Sequence, residues 1–332
     1  MDKVFQKILV IQLKRAGDVL VTTPIPTLLK QQWPHAQIDF LVMKPFASLL
    51  ENHPALHRIH IYDTNHPFKT AWMIRQQHYD AIFDFQSSPR SAWLTVLSGA
   101  SVTAGYQVTF WGNFYRYSVP RPGKMPVTEG KVSLLQPLIG SISTIPPRQL
   151  YLMSSEKESA KNQLRCDDDS RPIIGIIPTH RQESRRWEMS SFAKVAQQLT
   201  DEGFRVLLFW GPGEKEEVEA LQKQCPKAEC IPPTSFRQMA ALLENCQLVI
   251  TNDNGPMHLA VSVGTPTLTI YGPTDPESWN PGGSHHQVLQ AQDVSCLGCN
   301  LNHCPFQHEC MSHVSPMMVM QRIHEVLERI PA

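Results

Sequence analysis

The chain has 332 residues, 42% hydrophobic and 18% charged, about twice the length of one domain, which excludes a small disulfide-stapled module, a coiled coil, a collagen-like repeat and wholesale disorder. Thirty Lys+Arg balance thirty Asp+Glu, so the formal net charge is zero and no global field recommends nucleic acid as the partner. Any anionic ligand must be held locally.

Near the start, Ile8 to Leu13 offers only six consecutive apolar or near-apolar positions before Lys14 and Arg15 interrupt, too short for a signal segment or a membrane span. No other stretch reaches about eighteen apolar residues, so the expectation is a cytoplasmic protein. In a reducing compartment the eight cysteines point to metal or to plain burial rather than to disulfides.

Lys7 to Leu13 predicts a buried parallel strand, and the periodic stretch Val19 to Leu29 a helix after it. Strands follow near Ile38 to Val42, Arg58 to Tyr62 and Ala81 to Phe85. Helices are predicted after Pro45, around Thr70 to Gln77 and from Pro89 to Leu97. From about Gln107 the rhythm fails, with one helical patch near Lys131 to Leu138. Residues 154 to 171 read as a surface helix and an exposed connection. A second series then begins with strands at Pro172 to Ile177, Arg205 to Phe209, Gln247 to Thr251 and Thr267 to Tyr271. Helices are predicted at Ser190 to Leu199, after Gly213, at Ser235 to Leu243 and from Pro256. Alternating strands and helices predict α/β, doubly wound sheets. The expected domains are 1–155 and 156–315, followed by an amphipathic helix over 316–332.

Four segments carry chemistry. Residues 251–276 run strand, Asn-Asp-Asn-Gly turn, helix, strand and Gly-Pro-Thr-Asp-Pro. Gly255 at the head of that helix exposes free N–H groups suited to phosphate, while the plain alternative is capping by Asp253 or Asn254. Asp18, after the first strand, can take a proton from a substrate hydroxyl or simply cap a helix. His180, Arg181, Arg185 and Arg186 precede Trp187 after another strand, either as a diphosphate clamp or as a solvated basic loop. Cys296, Cys299, Cys304 and Cys310 form C-x2-C-x4-C-x5-C, able to enclose a structural Zn or Fe or to serve as reduced structural cysteines. No G-x-G-x-x-G follows the first strand, and P-loop, H-E-x-x-H and G-x-S-x-G motifs are absent.

Arg15-Ala16-Gly17-Asp18 through Pro24, paired with the late DNGPMHLA, GTP and YGPTDP segments, resembles glycosyltransferase family 9, the ADP-heptose:lipopolysaccharide heptosyltransferases. The opening segment is most similar to the branch that adds the third inner-core heptose. The resemblance implies a GT-B architecture: two Rossmann-like domains across a cleft, acceptor on the first, nucleotide sugar on the second, and the final helix packing back towards the first. It implies inverting transfer from ADP-heptose to the lipopolysaccharide inner core, with no cofactor or divalent metal required and Asp18 as general base. Arg185, where the family has lysine, would contact the donor phosphates, and Arg181 would add to them. Asp253 would contact donor sugar or diphosphate, with Asn254, Gly255, Pro256, Met257 and His258 completing that turn and His180 beside it. Glu214 and Glu216 fit the adenosine ribose equally well. Lys14, Arg15 and Arg90 are the candidate acceptor-binding residues. The lipid-bearing acceptor implies peripheral contact with the inner face of the cytoplasmic membrane and no nucleic acid. The competing readings are a nucleotide-sugar epimerase of GT-B shape, which would conserve its nucleotide sugar, and a metal-stabilised, non-catalytic binding protein.

Overall fold

The computed structural model describes residues 4–165 and 169–329. The chain divides into two compact units between Tyr151 and Leu152, slightly ahead of the expected 155/156. The helix over Ser154–Leu164 belongs to the second unit, and the Cys166 to Asp168 part of the expected connection lies outside the described residues.

In the first unit, β1 (Lys7–Ile11), β2 (Gln37–Met43), β3 (Arg58–Tyr62), β4 (Ala81–Asp84), β5 (Val102–Gln107) and β6 (Tyr117–Pro120) make one parallel sheet, ordered β3-β2-β1-β4-β5-β6. Ile8 to Ile11 are wholly buried, as a central strand covered on both faces requires. The connecting helices are α1 (Ala16–Thr22), α2 (Pro24–Gln32), α3 (Pro67–Gln76), α4 (Pro89–Ser98), α5 (Val127–Ser133) and α6 (Gln136–Ile139). The stretch Val19 to Leu29, expected as one helix, is two. Pro24 opens the second, where its missing N–H costs little.

The rhythm expected to fail near Gln107 in fact continues, because β5 and β6 extend the sheet. Their sequences, VTAGYQ and YSVP, carry a glycine and a proline in place of a β-branched run. Gly105 is required by its neighbour: a Cβ there would sit inside the Tyr115 ring. That ring lets the Tyr115 hydroxyl donate to Asp84 Oδ2 at 2.6 Å, at the carboxyl end of β4. Burial pushes the Asp84 carboxyl up to about 6, against the opposing hydrogen bonds from Tyr115 and from the Ser87 and Gln86 amides.

The second unit repeats the plan with β7 (Ile173–Ile177), β8 (Arg205–Leu208), β9 (Glu229–Cys230), β10 (Leu248–Asn252), β11 (Thr267–Ile270) and β12 (His286–Leu289), ordered β12-β11-β10-β7-β8-β9. Its helices are α7 (Ser154–Leu164), α8 (Met189–Asp201), α9 (Lys215–Gln222), α10 (Phe236–Leu243), α11 (Gly255–Ser262), α12 (Pro276–Trp279), α13 (Glu309–Ser312) and α14 (Pro316–Leu327). Helix α7 is bound to α10 by Arg237, which donates from Nε and Nη2 to the two carboxylate oxygens of Glu156. The terminal helix α14 places Val319, Met320, Ile323 and Val326 in the second unit's core with Phe192, Val195 and Leu199 of α8. Ile330, the last residue of its expected stripe, lies outside the described residues. Among the described residues no helix is long and apolar enough to cross a membrane.

The Gly105→Ala substitution is expected to destabilise the first unit by about 1–3 kcal/mol, the usual cost of overpacking. Denaturant titration followed by tryptophan fluorescence measures it, and an unchanged midpoint would show that the Tyr115 ring can move aside freely.

Candidate functional site

An open parallel sheet offers ligands the crevice beyond the carboxyl ends of two neighbouring strands at the point where the strand order reverses. In the first unit that point lies between β1 and β4. Gln12 bridges it: Nε2 donates to the Lys14 carbonyl at 2.7 Å and to Gln86 Oε1 at 3.1 Å. Lys14 and Arg90, with Leu13, Met43 and Gln86 among others, line a cavity of about 310 Å³ there. Two of the three expected acceptor-side cations therefore share one concave site. The third, Arg15, is exposed and occupies the N-cap position of α1, with no capping hydrogen bond from its side chain.

Asp18 is the third residue of α1, half-buried, so the plain reading of it as an N-cap falls. Sequence reasoning missed its electrostatic neighbour. Lys131 of α5 is buried and directs Nζ to Gln12 Oε1 at 2.5 Å. Burial pulls the Lys131 ammonium down to about 8, and the charge of Asp18 is the first influence opposing that shift. A lysine inside a helical patch carries no sequence signal of this kind, because its burial depends on where α5 lands.

In the second unit the corresponding point lies between β7 and β10. Here two asparagine amides make the bridge. Asn252 Nδ2 donates to the Pro178 carbonyl at 2.7 Å, and Asn254 Nδ2 to the Thr179 carbonyl at 3.0 Å. The other amide atoms serve the neighbouring chain: Asn252 Oδ1 accepts from the Trp187 N–H at 3.0 Å, and Asn254 Oδ1 caps α11 through Met257 N at 2.9 Å. Gly255 and Pro256 thus open a capped helix, and Met257 and His258, next in its first turn, are buried. For Asn254 the capping reading is correct, and the cap is also what aims the helix.

Trp187 is buried, its indole donating to the Val314 carbonyl at 2.8 Å, and it anchors the basic loop. Arg185 donates from Nη2 to Asn300 Oδ1 at 2.8 Å and holds Nη1 3.7 Å from Asp253 Oδ2. Its Nε is buried without a partner among the described residues. Burial raises the Asp253 carboxyl, and the Arg185 charge offsets part of that rise. Arg186 turns away, to the His180 carbonyl and to Glu217 Oε1 at 2.7 Å. Arg181 is exposed. His180 accepts from the Gln182 amide at Nδ1, 2.8 Å away. Burial, aided by the Arg185 and Arg186 charges, pulls its imidazole down to about 4, so it is neutral at pH 7.

Spacing left Glu214 and Glu216 equal, and geometry separates them. Glu214 Oε2 accepts from Thr179 Oγ1 at 2.6 Å and from Gly211 N at 2.7 Å, beside the strand end. Glu216 is exposed on the first turn of α9. A separate groove of about 460 Å³ on α8, lined by Lys194 and Asp201 among others, contains none of the expected site residues.

The cysteine-rich segment does not form a ligand set: among the described residues no group of three or more His, Cys, Asp or Glu is placed to hold a metal ion. The Cys304 sulfur faces the Phe306 and His308 amides, each at 3.3 Å. Cys310 is buried, and burial, with the charges of Cys296, Cys304 and Cys299, pushes its thiol up to about 11. The segment instead braces the basic loop. Gly298 N and Asn300 N donate to the Gly272 and Pro273 carbonyls, Ser184 Oγ donates to the Leu301 carbonyl, and Gln182 Nε2 to Asn302 Oδ1.

A family model described as glycosyltransferase family 9 (heptosyltransferase) matches residues 68–309. The chain belongs to glycosyltransferase family 9. It is 26% identical over 297 residues to lipopolysaccharide heptosyltransferase 3 of Escherichia coli, covering 83% of this chain and 86% of that one. It is 24% identical to lipopolysaccharide heptosyltransferase 2 of Salmonella typhimurium over 97% of this chain and 98% of the relative. Among solved structures, the family 9 glycosyltransferase of Veillonella parvula superimposes with a TM-score of 0.87 at 20% identity, covering 99% of both chains. The E. coli ADP-heptose heptosyltransferase II gives 0.83 at 22%, covering 98% of this chain and 99% of that one. These likenesses speak to the fold, α/β of the GT-B class.

Family membership makes the chain a glycosyltransferase and sets aside both the epimerase and the non-catalytic reading. In this family 9 chain three further residues that sequence reasoning missed, Thr179, Glu217 and Asn300, are partners of residues it named. Only Glu217 carried a signal, as an acid on the first turn of a helix close to two other acids.

Asn254→Ala removes the cap of α11 and one bridge to the loop after β7, and is expected to destabilise the second unit by about 1–2 kcal/mol. Thermal melting by circular dichroism checks this, and an unchanged melting temperature would show that neither bond contributes.

Proposed function

We propose that this glycosyltransferase transfers a heptose from ADP-L-glycero-D-manno-heptose to the inner core of lipopolysaccharide, with inversion and without a divalent metal. The observation that carries the reading is Arg185. Its guanidinium stands within reach of Asp253 below the head of α11, braced by Asn300, with a buried N–H still to be satisfied. A guanidinium and a helix N-terminus together neutralise a leaving diphosphate, the task a metal ion performs elsewhere. Arg181 adds exposed positive charge, Glu214 receives the adenosine ribose, and Asp253 a donor sugar hydroxyl. In the first unit Lys14 and Arg90 receive acidic groups of the acceptor at their shared cavity.

Asp18 then takes the proton from the acceptor hydroxyl as the oxygen bonds to the anomeric carbon. The bond from that carbon to the diphosphate breaks, and ADP departs with the electron pair. Lys131, whose buried ammonium donates to Gln12, interacts with the charge of this acid. The likeness of the opening segment supports the third, branching heptose as the step, and the work is placed at the inner face of the cytoplasmic membrane, where the lipid-bearing acceptor lies.

With ADP-heptose and a heptose-deficient core acceptor, ADP release is expected to match the gain of one heptose by mass spectrometry. Altered ADP-heptose without acceptor consumption would overturn transfer. Asp18→Ala is expected to keep ADP binding and lose about 10²–10⁴-fold in turnover, and near-normal turnover removes Asp18 from the mechanism. Arg185→Ala is expected to weaken ADP binding by about 1.5–3 kcal/mol in calorimetry, and unchanged affinity counts against the clamp.

A further inference from the structure

A helix on the outside of a sheet normally keeps large apolar side chains off its water-facing side, and α3 and α4 do not. Helix α3 buries Thr70, Ala71 and Ile74, yet its outer stripe carries Phe68 and Trp72, one turn apart and 74% and 63% exposed. Helix α4 buries Ala92 and Leu94 and exposes Val96 and Leu97. The two helices pack together, and the Phe68 ring meets the half-buried Trp93 ring edge-on at 5.1 Å, which makes their outer faces one surface. The short 3-10 helix Thr109–Phe114 also packs on α4 and adds Phe110, 66% exposed, and Phe114, whose rings meet at 5.4 Å. Six of the twelve large apolar side chains exposed among the described residues lie on these three neighbouring elements.

Their charge is one-sided. Lys69, Arg75 and Arg90 lie on these elements, Arg116 follows them, and none of the three contains an aspartate or glutamate. In a chain of zero net charge that local excess is a feature of the face and not of the composition. Arg75 donates to the Leu97 carbonyl at 3.0 Å and Arg116 to the Ser101 carbonyl at 3.1 Å, so both guanidinium groups are held at the rim of the apolar surface.

Exposed aromatic rings with cations and no acidic residue on the three elements match the headgroup region of an anionic bilayer, where rings settle at the acyl boundary and cations meet phosphate. The geometry points to the outer face of α3, α4 and Thr109–Phe114 as the surface by which this protein docks on an anionic phospholipid membrane. The inference rests on the membrane contact proposed above and specifies its site and chemistry. The same helix joins the two tasks: the N-terminal residues Ser88 to Arg90 line the cavity assigned to the acceptor, and Val96 and Leu97 at the other end belong to the docking face.

The test sediments the full chain with vesicles of phosphatidylcholine and of an equal mixture of phosphatidylcholine and phosphatidylglycerol. The wild type is expected to bind the anionic vesicles and to release as salt is raised. The double variant Trp72→Ser/Phe110→Ser is expected to lose about tenfold or more in partition, and Lys69→Gln about fivefold, with turnover on a water-soluble acceptor unchanged in both. Wild-type binding that the double variant retains would leave the membrane contact standing and remove this face from it. A wild type that transfers heptose yet ignores anionic vesicles would overturn both the face and the contact while leaving the transfer reaction intact. A dimer in sedimentation velocity that Trp72→Ser dissolves would assign the face to a second copy and overturn the lipid assignment.

Discussion

Where a parallel ladder stops at a switch point, the last backbone carbonyls lose their neighbours and must be satisfied by something other than a strand. In the second unit Asn252 and Asn254 do this for the chain leaving β7, and each spends its remaining amide atom on a second segment. The positions of Trp187, Arg185, Thr179 and the head of α11 all follow from those four bonds. In the first unit a glutamine does similar work, joining the segments that leave β1 and β4 and receiving the buried ammonium of Lys131. Amide side chains suit the position because one planar group both donates and accepts and adds no charge where charge would be costly to bury.

Charge in this molecule is local. The whole chain is neutral, yet the loop after β7 gathers three arginines, and burial makes the adjoining His180 neutral at working pH so that it adds no further repulsion. Arg186 is absorbed by Glu217 and the His180 carbonyl, which leaves Arg185 as the half-buried guanidinium facing Asp253. In the first unit the same economy appears around Asp84. Its carboxyl is deep enough to keep a proton to about pH 6, and the Tyr115 hydroxyl that bonds it exists there because position 105 has no side chain.

The cysteine-rich segment shows how residue type can mislead when geometry is missing. Four thiols in a short loop suggest a metal, but one sulfur is turned to backbone amides and another is buried. What the segment contributes lies between its cysteines: the backbone of Gly298, Asn300 and Leu301 and the side chains of Asn300 and Asn302, tied to the turn at Gly272 and to the basic loop. Asparagines in a loop carry no periodic signal, so this brace was invisible before the loop was placed.

The buried runs Lys7–Ile11, Ile173–Ile177 and Leu248–Asn252 were legible because a strand covered on both faces must be continuously apolar, and the alternation of such runs with amphipathic stretches dictates a doubly wound α/β fold. The residues at the ends of those runs were legible as candidates for the same reason, since strand ends are where open sheets bind ligands. Tertiary structure alone decided the rest: that Glu214 and not Glu216 reaches the strand end, that Lys131 is buried beside Asp18, that β5 and β6 complete a sheet through a glycine and a proline, and that large apolar side chains of three separate elements share one exposed face. Each of these depends on contacts between segments far apart in the chain, and periodicity within one segment records which face is buried but not what it is buried against.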